Sequence, residues 1–159
     1  LTHPEYNWEL HGFPVDEGPG VIKHDGKIFI TFSASGTDAM YCVGLLYAEE
    51  DADLLLSSSW TKLPYPVFQS SRATGQFGLG HNSFTKSDDD SEDLIIYHGR
   101  QEERYLVEAD YQPLYDAGRN ASVGKIYWNP DGMPNFSVPA QGIVNDEKLL
   151  EVSCEIVVE

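Results

Sequence analysis

Three short runs carry side chains that can do chemistry. In the first, Asp16-Glu17-Gly18-Pro19-Gly20, two carboxylates stand just ahead of an apolar stretch. A positioned carboxyl group can give a proton to a reacting oxygen or take one away. Gly18 permits a tight approach, and Pro19 sets the entry into a strand. A solvated acidic turn explains the same five residues. The second run is Gly75-Gln76-Phe77-Gly78-Leu79-Gly80-His81-Asn82-Ser83-Phe84. Its glycines permit close backbone approach. His81 could hold an ion through water, orient a carboxylate or donate to a ligand, and a structural histidine is the plainer alternative. These glycines are not a phosphate loop, because no Lys-Ser/Thr follows them. The third run is Tyr97-His98-Gly99-Arg100, at the end of an apolar strand. The planar fork of Arg100 suits sugar hydroxyls or a carboxylate, and it suits pairing with a nearby acid as well. No Cys-x-x-Cys, His-Glu-x-x-His or Gly-x-Ser-x-Gly occurs.

Such residues need elements to position them, and the texture of the chain is short strands and turns. Gly20–Lys23 and Ile28–Ala34 read as strands joined at Asp25-Gly26, a strong hairpin signal. Tyr41–Tyr47, Trp60–Leu63 and Val67-Phe68 complete a first four-strand unit. A second unit follows with strands at His81–Thr85, Leu94–His98 and Val123–Trp128. The two units start about 60 positions apart. Glu49–Leu56 reads as a short helix, and the tail from Glu147 as helix and then strand. This spacing fits propeller blades, and it fits a β-sandwich equally. Two blades alone leave faces and edges uncovered, so a propeller reading requires neighbouring blades from outside this chain.

Composition narrows the partners. The chain has 159 residues, enough for one domain with a core, and 41% are apolar. Ten Lys and Arg stand against 26 Asp and Glu, for a net charge of −16. That charge argues against nucleic acid and anionic membranes, and it is compatible with a neutral ligand such as a sugar. No stretch approaches the ~20 apolar residues of a membrane helix. Leu1–Glu5 lack the pattern of a signal peptide, which favours a cytoplasmic location over secretion. Cys42 and Cys154 read as buried free thiols, with a disulfide between them as the alternative.

Taken in order, the runs resemble a known family. Glu-Gly-Pro at Glu17–Pro19, Phe-Ser-Ala-Ser at Phe32–Ser35, Gly-x-Gly-His-Asn-Ser at Gly78–Ser83 and Tyr-His-x-Arg at Tyr97–Arg100 follow the order of family 43 glycoside hydrolases. Trp60-Thr61-Lys62, Pro66-Val67-Phe68 and the run Tyr127–Pro134 fit its α-L-arabinofuranosidase branch more closely than its β-xylosidases. The likeness spans residues 2–139. It implies an all-β fold, part of a five-bladed propeller with two to three blades here, over residues 1–139. Residues 140–159 would be a closing segment or tail. It implies inverting hydrolysis of arabinose- or xylose-containing oligosaccharides, with Glu17 as catalytic acid. It places Arg100 in the sugar subsite, with Gln76 and Ser35 near the pocket. It places His81 at the axis beside a structural Ca2+ or Na+, held directly or through water; the chemistry itself needs no cofactor. The family's general-base aspartate and its pKa-tuning aspartate would both precede Leu1. The chain would then supply the acid and need the missing N-terminal half, or a second chain, for the base. A non-catalytic carbohydrate-binding remnant and a generic β-sandwich interaction module are the alternatives.

Overall fold

Asp25 and Gly26 both have positive φ, 46° and 74°. This is the two-residue turn whose twist matches that of the flanking strands. It joins β1 (Asp16–His24) to β2 (Lys27–Ala34), and β3 (Cys42–Glu49) and β4 (Thr61–Lys62) extend the sheet in the order β1-β2-β3-β4. In this computed structural model, which describes residues 1–101 and 112–137, a second antiparallel sheet follows. It contains β5 (Phe77–Lys86), β6 (Asp93–Arg100) and β7 (Asn120–Lys125) in the order β5-β6-β7. A short pair, β8 (Tyr127–Trp128) and β9 (Pro134–Asn135), completes the described part. The all-β expectation and the repeat of two strand units both hold. The tail from Glu147, the 140–159 segment and Cys154 lie outside the described residues; Cys42 is a buried free thiol, its pKa pushed up to about 12 by burial, with Glu9 and Asp16 adding.

Two local expectations differ from the structure. Glu49–Leu56 is not a helix: Glu49 ends β3 and turns follow. The Asp53 side chain accepts from the Leu55 N–H at 3.1 Å, and its carbonyl accepts from the Ser59 hydroxyl at 2.7 Å. Such local bonds compete with a helical ladder. The strand expected over Val123–Trp128 is broken at Ile126, which turns inward and is 2% exposed. Its N–H donates to the Asp93 carbonyl at 2.8 Å.

The first sheet packs on the second mainly through β1 and β2 against β5. Val43, Phe68, Leu79, Ile95, Tyr97, Ile126 and Phe136 fill the space between. Each such side chain contributes about 1.5–3 kcal/mol on burial. Bulges interrupt the register between Glu17 and Gly20 in β1 and around Gly80 in β5. A bulge re-aims the side chains beside it. Glu17 and His81 sit at these two bulges, and they meet.

Candidate active site

Strand alternation sends Asp16 and Glu17 to opposite faces. Asp16 turns inward, where the Thr2 hydroxyl donates to it at 2.7 Å and Lys62 lies 3.4 Å away. Burial raises its pKa, against the hydrogen bond from Thr2. Glu17 is left partly open, with its side chain 33% exposed, at a cavity of about 970 Å³. Its Oε1 accepts a short hydrogen bond from the Tyr41 hydroxyl. Its Oε2 lies 3.0 Å from His81 Nδ1. Both carboxylate oxygens are therefore held.

Glycines of the first and second runs make these contacts possible. A Cβ on Gly18 would stand 3.0 Å from His81 Nδ1, and one on Gly80 would overlap the Tyr41 ring. A Cβ on Gly78 would stand 2.5 Å from Arg100 Nη1. His81 itself has φ +48°, rarely adopted by residues other than glycine, and its N–H donates to Ser33 Oγ at 2.7 Å. The Tyr41 ring stacks on His98 with centroids 5.4 Å apart and planes 8° from parallel.

Three of the five expected site residues reach the cavity: Glu17, His81 and Ser35. Ser35 is held there by its hydroxyl, which donates to the Trp8 carbonyl at 2.7 Å. Arg100 and Gln76 are not in the lining. Arg100 is 1% exposed, with Nε 2.7 Å from Asp116 Oδ2 and Nη2 donating to the Pro113 carbonyl at 2.6 Å. Pro113 and Asp116 line the cavity, so Arg100 braces its wall from behind. Gln76 is also buried and accepts from the Tyr97 hydroxyl at 3.2 Å. Among the described residues, no three His, Cys, Asp or Glu side chains are placed to hold a metal ion. The cation expected at His81 therefore has no three-ligand set of these side chains to hold it among the described residues.

Tyr41, His98 and Arg119 also line the cavity, and sequence reasoning assigned no role to His98 or Arg119. His98 lay inside the Tyr-His-x-Arg run, next to a residue with a more obvious charge. Burial pushes its pKa down to about 4, and the charges of Arg119, Arg100 and His81 act in the same direction. The folded protein thus keeps His98 neutral where an unfolded chain protonates it, below about pH 6.5. The associated stability is present above that pH and lost as the pH falls from about 6.5 through about 4. Thermal melts across this window should show a decline that His98→Gln reduces. An unchanged slope in the variant would mean that His98 carries none of it.

The family model for glycosyl hydrolases family 43 matches residues 2–134. An extracellular exo-α-(1→5)-L-arabinofuranosidase of Streptomyces avermitilis is 49% identical over 144 residues, covering 90% of this chain and 29% of the relative. An α-L-arabinofuranosidase 43 of Humicola insolens is 45% identical over 139 residues, covering 87% and 28%. The crystal structure of an α-L-arabinofuranosidase from Lactobacillus brevis superposes with a TM-score of 0.84 at 46% identity, covering 91% of this chain and 43% of that one. The chain thus spans under a third of the length of these curated relatives. The two sheets correspond to blades of the family's propeller, of which only part is present, and the sandwich alternative falls away. With the motifs in order, the paired bulges bringing Glu17 to His81, and a family match over most of its length, this chain belongs to glycosyl hydrolases family 43.

Proposed function

We propose that this chain forms part of an inverting α-L-arabinofuranosidase in which Glu17 is the general acid. The observation that carries the reading is Glu17 at the cavity with both oxygens held by partners from outside β1. Inverting hydrolysis pairs such an acid with a base carboxylate ~6.5–9.5 Å away, leaving room for water. Among the described residues, the two other carboxylates that line the cavity already have partners: Asp116 pairs with Arg100, and Asp38 lies 3.3 Å from His11. We therefore assign the base to a residue outside this chain's described part. Its natural source is the N-terminal portion of the propeller. Arabinose is favoured over xylose because the relatives at 45–49% identity are named arabinofuranosidases. The name of the Streptomyces relative also favours secretion over the cytoplasmic location expected from the sequence.

The test follows the anomer released from an aryl α-L-arabinofuranoside by the full-length protein, using proton NMR from the first minutes. The β-anomer should appear first and then equilibrate. Initial release of the α-anomer would overturn inversion. Binding without turnover would leave a carbohydrate-binding module in place of an enzyme.

A further inference from the structure

Every hydrolysis by a carboxylic acid requires one of its two oxygens to carry the proton. We propose that Tyr41 makes that choice for Glu17, by holding Oε1 as an acceptor so that Oε2 delivers the proton. The proposal rests on the reading of Glu17 as the acid. Tyr41 is a positioning residue for that acid, 24 positions away in the chain.

Four features make Tyr41 a fixed donor. It is 2% exposed, so its hydroxyl is not free to turn to bulk solvent. Its ring lies flat against His98. Gly80 leaves open the space that the ring fills. Its backbone N–H donates to the Asp38 carbonyl at 3.2 Å. Burial first, and then the bond to Glu17, raise the pKa of the phenol. It therefore keeps its proton throughout the pH range in which the protein works. A neutral phenol has one proton to donate, and the Tyr41 hydroxyl directs it at Oε1, so that oxygen serves as the acceptor. The proton of Glu17 then belongs on Oε2, the oxygen beside His81. The leaving oxygen of the sugar must approach from that side.

The step balances with water as the only co-reactant. Oε2 passes its proton to the glycosidic oxygen as the C1–O bond breaks, and the bond's electron pair stays with that oxygen. Water forms the new C1–O bond from the opposite face and gives its proton to the base. The base then releases that proton to solvent, and solvent restores the one that Glu17 gave up.

A general acid matters most when the leaving group is poor. In the full-length protein, kcat/KM should be measured for phenyl and 2,4-dinitrophenyl α-L-arabinofuranosides. Tyr41→Phe removes one oxygen and keeps the ring. The expected loss is ~10- to 100-fold on the phenyl substrate and under about 3-fold on the dinitrophenyl one. The loss should fall on kcat, with KM little changed. Equal losses on both substrates, or none on either, would overturn the proposal, because a purely structural tyrosine does not discriminate between leaving groups. Glu17→Gln run in parallel separates the two readings. If Glu17→Gln discriminates and Tyr41→Phe does not, only the role of Tyr41 falls. If neither discriminates, the acid assignment falls as well. Should Tyr41→Phe fail to fold, Gly80→Ala displaces the ring without removing the hydroxyl, and the same pattern of losses decides the matter.

Discussion

Glu17→Gln is expected to lower kcat/KM on unactivated arabinofuranosides by ~10²- to 10⁴-fold, the range contributed by one positioned proton-transfer group. That corresponds to about 3–5 kcal/mol in the barrier. The substitution is nearly isosteric, and the amide oxygen can still accept from Tyr41. It removes only the ability to supply a proton. Glu17 lies at the mouth of a cavity and not in the core, so the variant should melt close to the parent protein. Steady-state rates on phenyl arabinofuranoside, with melting followed in parallel, check the expectation. A loss below about 5-fold with the fold intact would remove Glu17 from the chemistry.

The second large effect is on stability. Lys62→Met is expected to cost about 3–5 kcal/mol, the usual result of stripping one partner from a buried ion cluster. Lys62 Nζ lies 2.6 Å from Glu9 Oε1, 3.4 Å from Asp16 Oδ2 and 3.5 Å from Glu5 Oε1. The Glu9 side chain is 0% exposed and that of Asp16 is 2% exposed. Burial works against the ammonium, but the hydrogen bond to Glu9 and the charges of Asp16 and Glu9 outweigh it and hold the Lys62 pKa above its ordinary value. Methionine fills the space of the stem and leaves two carboxylates without their cation. Urea unfolding measures the loss. A change below about 1 kcal/mol would show a cluster no stronger than an exposed pair. The cluster also ties the segment from Thr2 to Glu9 against β1 and β4. Because Asp16 precedes Glu17 in β1, loosening it should also loosen the proposed acid.

Much of the frame was legible in the residues alone. Asp25-Gly26 marks its hairpin because few residue pairs tolerate two positive φ values. Alternation separates Asp16 from Glu17 because adjacent side chains on a strand point to opposite faces. The glycine run around His81 announces close approach, since a missing Cβ is useful only where something fills its place. These are local signals, each set by a few neighbouring dihedral angles.

What the local signals leave open is which faces meet. Tyr41 reaches Glu17 across 24 positions, and His81 reaches Ser33 across 48. Nothing in the spacing of these residues selects Tyr41 over the other aromatics. Arg100 has the chemistry of a sugar ligand, yet the packing of β6 carries it behind the cavity wall, onto Asp116 and Pro113. Strand alternation specifies that a side chain leaves one face or the other; the stacking of two sheets decides whether that face opens on a cavity or on a neighbour. By itself, then, the sequence determined the strands, the turns, the glycine openings and the family's ordered motifs. The tertiary structure alone decided that Glu17 is gripped by Tyr41 and His81, because that grip depends on two bulges in separate sheets coming into register.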